Sequence, residues 1–201
     1  MMIRSTLLLS VALFATACTA QDKSPCTDAT VPAVGSTAAT FTANDVNGKL
    51  VDLDALRKQG PVVLFFYRGS WCPICNKHLA AVQDSLQLIL DKGATVVAIT
   101  PETPESAAGI IEKSGASFPI VHDAGYKILC DYGTAFRESG AKVGAMKVAG
   151  YNIPKANGND ENVLTVPATF IIGQDGTIIA SHYDTNYKDR MSVKEILAAL
   201  P

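Results

Sequence analysis

Two cysteines separated by two residues, Cys72 and Cys75, stand in the run Trp71-Cys72-Pro73-Ile74-Cys75, and their spacing lets two thiols on one helical turn close and reopen a small disulfide. Before them lies the apolar stretch Pro61 to Tyr67. After them Leu79, Val82, Leu86 and Ile89 recur at helical spacing, with Gly93 as a stop. Pro73 suits the first helical position because its missing N–H would be unpaired there, which leaves Cys72 as the cap residue beside free backbone donors. Helix N-termini lower a thiol pKa from about 8.5 into a range of roughly 3.5 to 7.5. Cys72 is therefore expected to be the thiolate that attacks a disulfide, and Cys75 the thiol that resolves the mixed disulfide.

Other readings of the pair are weaker. A zinc site needs further Cys or His ligands at recognisable spacing, and no second CxxC or HxxxH is present. A purely structural disulfide across so short a loop constrains the unfolded chain least. Trp71 is expected to shield one side of the pair and offer an indole N–H, and Arg68 can attract a thiolate or take a surface salt link. His78, one turn beyond Cys75, reads as a solvated helix histidine, with charge tuning as the alternative. Neither His122 nor His182 is assigned a catalytic role.

The elements that must position these residues follow from pattern. Pro61 to Tyr67 is continuously apolar and short, as a buried central strand is. An Asn-Gly turn signal at Asn47-Gly48 predicts a hairpin within Phe41 to Leu53, and Asp54 to Lys58 a short helix. Ala94 to Thr100 reads as a second buried strand, and Thr103-Pro104 as a cap opening a helix through Lys113. Phe118 to Val121 is a third strand and Tyr126 to Phe136 a helix. Arg137 to Asn162, rich in Gly, Lys and Asn, is taken as a loop-rich insertion at the sheet edge. Val166 to Gly173 and Thr177 to His182 form a late hairpin, and a helix capped by Ser192 closes the chain at Leu200. Alternating strands and helices that end in an antiparallel pair imply an α/β fold, a central mixed sheet with helices on both faces.

The chain has 201 residues, 48% of them hydrophobic, which suits one domain with a substantial core. A formal net charge of -2 without a basic run excludes an electrostatic case for nucleic acid. Arg4, the apolar Leu7 to Phe14 and the small Ala15-Thr16-Ala17 read as an export signal, too short for a spanning helix of roughly 20 residues. Cys18 then resembles the lipidated first residue of a bacterial lipoprotein, with cleavage after Ala-x-Ala as the alternative. Expected boundaries are thus 1–18 for the signal, 19–38 for a flexible tether and 39–201 for the domain, exported to the cell envelope or periplasm and held to the membrane through Cys18. In that oxidising compartment Cys26 and Cys130 could bridge. Cys130 follows Ile128 and Leu129, however, and reads better as a buried core thiol, with a resolving role as a further alternative.

The run Phe65 to Asn76, including Tyr67-Arg68-Gly69-Ser70-Trp71-Cys72-Pro73-Ile74-Cys75, resembles the active-site segment of peroxiredoxin-like proteins of the alkyl hydroperoxide reductase and thiol-specific antioxidant family. Phe118 to Asp123 with Asp131-Tyr132-Gly133, and Val166 to Ile172 followed by Asp175-Gly176, resemble later family segments. The likeness covers nearly all of residues 40 to 201 and implies a thioredoxin-like fold. It also carries departures. In the family's P-x-x-x-T-x-x-C pattern, aligning the peroxide-attacking cysteine with Cys75 puts Arg68 at the proline and Cys72 at the threonine. Pro167 stands where the supporting arginine is expected, and there it resembles the cis-proline that thioredoxins place beside their cysteine pair.

The resemblance and the thiol spacing together imply a thiol-dependent oxidoreductase that uses no cofactor or metal. Its CxxC would reduce hydroperoxides, as a thioredoxin-dependent antioxidant peroxidase, or protein disulfides, recycled by a thioredoxin-like electron donor. For peroxide the resemblance favours Cys75 as the attacking sulfur, and exposure favours Cys72. Two alternatives are a non-catalytic envelope binding module on the same fold, and a Cu(I) delivery factor using the two thiolates.

Overall fold

The computed structural model describes residues 25–27 and 29–201. The expected signal, Cys18 and the first part of the tether lie outside the described residues. Strand β3 (Val62–Phe66) occupies the centre of a five-stranded sheet. It pairs in parallel with β4 (Thr95–Thr100), which pairs in parallel with β5 (Ile120–His122). On its other side it runs antiparallel to β8 (Ala168–Ile172), and β8 antiparallel to the edge strand β9 (Ile178–Tyr183).

Every residue of β3 is buried, because the sheet is covered on both faces. Side chains alternate across a strand. Val63, Phe65 and Tyr67 therefore join one core with α2 (Pro73–Asp84), α3 (Leu86–Asp91), α4 (Pro104–Ser114) and α8 (Val193–Ala199). Val62, Leu64 and Phe66 join the other, with α1 (Leu53–Arg57) and α5 (Lys127–Asp131). Both cysteines of the CxxC belong to the first core.

The Asn47-Gly48 hairpin forms from β1 (Thr42–Asn44) and β2 (Leu50–Asp52), and Ser192 closes a capping box with Glu195. Five expectations need correction. The helix after Cys75 does not run on to Gly93; it breaks at Ser85, whose φ of -109° and ψ of 9° leave the helical region, and resumes as α3. The helix expected to reach Phe136 stops at Asp131. Gly133 has a φ of 63°, and a Cβ there would lie 2.6 Å from the backbone at Thr30 and Val31, which cross it. The chain then forms β6 (Ala135–Arg137), antiparallel to β7 (Val163–Thr165).

The segment between those two strands is no loop. It holds α6 (Gly140–Val148), capped by Ser139, and α7 (Ile153–Asn157), capped by Asn152 and ended by Gly158 in the left-handed region. Val143, Ile153 and Leu164 give it a small core of its own, against which Trp71, Phe136 and Met146 pack.

Finally, Cys26 and Cys130 form a disulfide with Cα atoms 5.4 Å apart, so Cys130 is not a free core thiol. The end of the expected tether is packed on the domain. Gly35 N–H donates to Ile178 O at 2.8 Å, Ile178 N–H to Ser36 O at 2.9 Å, and Ala38 is buried.

Candidate active site

Strand β3 ends at Phe66 and helix α2 starts at Pro73, so the six residues from Tyr67 to Cys72 fill the turn at the C-terminal end of the central strand. Cys72 is the N-cap of α2, in extended conformation, with Pro73 in the first turn. Both thiols are free and buried, Cys72 2% exposed and Cys75 1%.

Their environments push them in opposite directions. The Cys72 thiol is lowered to about 6, first by a hydrogen bond from the Cys75 thiol. The Cys75 N–H and the charges of Arg68 and Arg190 also lower it, against the cost of burial. Cys75 is raised, because its proton is held in the bond to Cys72 and because burial and the Cys72 charge disfavour a second thiolate. At neutral pH the pair is thus one thiolate and one thiol, with the charge on Cys72.

The turn is pinned from below by Glu102, which lies just past β4 and is fully buried. Its two carboxyl oxygens accept from Ser70 N–H at 2.7 Å and from Ser70 Oγ at 3.0 Å. Ser70 O in turn accepts from Asn76 Nδ2 and Lys113 Nζ, each at 3.0 Å. Burial raises Glu102 to about 7, with the Ser70 bonds and Lys113 opposing. Gly69 is required here: its φ is 149°, and a Cβ would sit 2.3 Å from the Trp71 indole nitrogen and 2.9 Å from the Glu102 carboxyl carbon.

Cys72 opens onto a groove of about 670 Å³, a volume suited to an organic ligand. Arg68, Trp71, Pro73 and Pro167 share its lining with Cys72. The far wall comes from Phe136, Met146 and Tyr151 of the β6–α7 segment and from Tyr183 and Tyr187. Cys75 does not line it. A second hollow of about 710 Å³, between Thr40–Asp45 and His122–Ile128, contains no cysteine and none of these residues.

The candidate residues read from sequence therefore converge on one place. Trp71 packs on Tyr151 at 5.8 Å, and the Arg68 guanidinium carbon lies over the rings of Trp71 and Tyr187 at 5.0 and 4.7 Å. Arg68 is 9% exposed and makes no salt link among the described residues. Pro167 lines the same groove as Cys72, but no peptide bond among the described residues is cis, so the cis form implied by resemblance is absent. Val166, just before it, remains tied to the β6 side through its N–H bond to Thr134 O at 2.7 Å. His78 is not solvated. It stacks edge-on to Phe65 at 5.4 Å and donates from Nε2 to Met191 O at 3.0 Å, and burial lowers it to about 4.

Two residues escaped sequence reasoning. Arg190 reaches Cys75 Sγ with Nη2 at 3.8 Å from an irregular stretch before α8, a position no motif marks. Glu102 was recoverable in principle, since parallel neighbours such as β3 and β4 end together and place the residues after each side by side. Among the described residues no group of three or more metal-ligating side chains is gathered.

A central mixed sheet carrying a reduced CxxC at the helix that follows its middle strand is the arrangement of a thioredoxin-like thiol oxidoreductase. Known proteins agree. The chain belongs to the AhpC/TSA family, which matches residues 34–181. A Mycobacterium tuberculosis peroxiredoxin is 26% identical over 150 residues, 75% of this chain and 84% of its own length. The thiol-disulfide oxidoreductase ResA of Bacillus anthracis is 29% identical over 101 residues, 50% of this chain and 57% of its own. The fold superposes on peroxidoxin BcpB from Mycobacterium tuberculosis with a TM-score of 0.64 at 22% identity, covering 83% of this chain and 95% of that one. The protein is accordingly an enzyme that works by thiol chemistry on a peroxide or disulfide substrate and is recycled by a reductant.

Proposed function

We propose that the protein is an envelope thiol–disulfide reductase in which Cys72 attacks and Cys75 resolves, with hydroperoxides as substrates of the same Cys72 thiolate. The observation that carries this reading is the asymmetry of the pair. The sulfur that opens onto the groove is also the one held as a thiolate, while Cys75 is enclosed and protonated. A peroxidase working through Cys75 would need the reverse.

Attack by Cys72 on a disulfide forms a mixed disulfide and expels one thiolate. Cys75 then loses its proton and attacks Cys72 Sγ, closing the internal disulfide and releasing the second thiolate. With a hydroperoxide, Cys72 takes the distal oxygen and an alcohol leaves. Cys75 then condenses with the sulfenic acid, releasing water. A thioredoxin-like dithiol donor would reopen the internal disulfide. Peptide mass spectrometry after one equivalent of peroxide or of a small disulfide, run in parallel on the Cys75→Ser and Cys72→Ser variants, tests the assignment. The adduct is expected to form quickly on Cys72 of Cys75→Ser and slowly on Cys75 of Cys72→Ser, and the reverse order would overturn it.

The export signal and Cys18 support attachment to the membrane on the oxidising side, as does the Cys26–Cys130 disulfide, a bond that persists in such compartments. Palmitate labelling of the expressed full chain is expected, and it is expected to disappear in Cys18→Ser.

A further inference from the structure

Arg68 is a buried cation whose partners do not satisfy it. Its side chain makes no hydrogen bond and no salt bridge to a carboxylate among the described residues; its charge favours the Cys72 thiolate without bonding it, and its Nε is enclosed without an acceptor. The faces of Trp71 and Tyr187 favour the charge but accept none of its N–H bonds in the plane of the guanidinium. The neighbouring carboxylates are committed elsewhere. Glu138, on the groove wall, is paired with Lys142 at 2.6 Å, and Glu102 is taken by Ser70. Trp71 lines the same groove with its ring, while its indole N–H is enclosed against Gly69. Terminal guanidinium nitrogens left without acceptors at the edge of a ligand-sized cavity are costly unless something completes them. A planar guanidinium set over two rings has the geometry to receive a carboxylate through paired bonds from its terminal nitrogens.

We propose that Arg68 is a substrate-binding residue that receives a carboxylate, so that the enzyme favours disulfides and hydroperoxides carrying a carboxylate a few atoms from the bond that Cys72 attacks. The apolar remainder of such a substrate lies along Phe136, Met146 and Tyr151. This inference rests on Cys72 as the attacking sulfur and adds the recognition that the thiol pair alone does not provide.

The test uses the reduced full-length protein and three disulfides of similar size: 3,3′-dithiodipropionate, anionic; bis(2-hydroxyethyl) disulfide, neutral; and cystamine, cationic. Single-turnover rates are followed by the fluorescence of Trp71, the one tryptophan in the chain, and each is divided by the rate of dithiothreitol with the same compound. The anionic disulfide is expected to be favoured over the neutral one by roughly tenfold or more, the range of a hydrogen-bonded charge pair. In Arg68→Gln that ratio is expected to fall close to one, while Arg68→Lys retains part of it. The ratio is the readout because loss of Arg68 also weakens the Cys72 thiolate, which slows all three compounds alike. A carboxylate-bearing and a neutral organic hydroperoxide, compared in the same way, extend the test to the second substrate class. An unchanged ratio in Arg68→Gln, or its loss in Lys142→Gln instead, would overturn the assignment of Arg68. Should none of the disulfides react at Cys72, the reading of the thiol pair falls, and this inference with it.

Discussion

The molecule carries two cysteine pairs, and they differ in every respect that decides whether a sulfur is reactive. Cys72 and Cys75 are three positions apart, free, and set at a helix N-terminus with Arg68 and Arg190 near them. Cys26 and Cys130 are 104 positions apart, bonded, and packed against the core on the other face of the sheet. The short-range pair costs little to open, because closing so small a loop constrains the chain least. The long-range pair constrains the unfolded chain most, by up to about 4.7 kcal/mol in the entropy model. The sheet between them keeps exchange chemistry and stapling apart, which argues against Cys130 as an auxiliary resolving thiol.

The contrast can be broken most severely at Cys72. Cys72→Ser is expected to reduce disulfide and peroxide turnover to the uncatalysed background, while the Cys26→Ala, Cys130→Ala double variant retains turnover per folded molecule. Turnover that depended on Cys130 would merge the two roles. The same double variant is expected to lose about 2 to 5 kcal/mol of unfolding free energy in denaturant titrations. An unchanged midpoint would show that the staple holds nothing.

Glu102 provides a finer test. Its folded carboxyl titrates near 7, above its ordinary 4.5, so between those values the folded state binds the extra proton and stability falls as pH rises. Relative to Glu102→Gln, the reduced wild type should therefore lose about 3 kcal/mol between pH 4 and pH 8. Parallel stability curves would show that burial does not govern this group. The smallest effect concerns Arg190, whose charge favours both thiolates. Iodoacetamide should label wild-type Cys72 with a midpoint near pH 6 and a tenfold loss per pH unit below it. Arg190→Gln should move that midpoint upward by about one pH unit or less.

How far the sequence revealed all this depended on whether the determining contacts were local. The CxxC, its strand and its helix were legible because Pro73, the apolar run before it and the spacing after it act within a few residues. The late hairpin and the Ser192 cap were legible for the same reason. The α6–α7 segment was not, although Ser139, Asn152, Pro154 and Gly158 are sound helix signals. Its glycines and lysines blur the apolar period, and its small core draws on Leu164 from the far strand of a ribbon. The end of α5 was hidden because what stops it is a distant segment crossing Gly133. Arg190 and the Cys26–Cys130 bond are likewise matters of three-dimensional approach.

The position of the staple has a consequence for orientation. Cys26 is only eight residues beyond Cys18, a span of at most about 29 Å when fully extended. A lipid on Cys18 would thus moor the protein close to the bilayer by the face of the sheet whose core takes Cys26 and Cys130, not the face whose core holds Cys72 and Cys75.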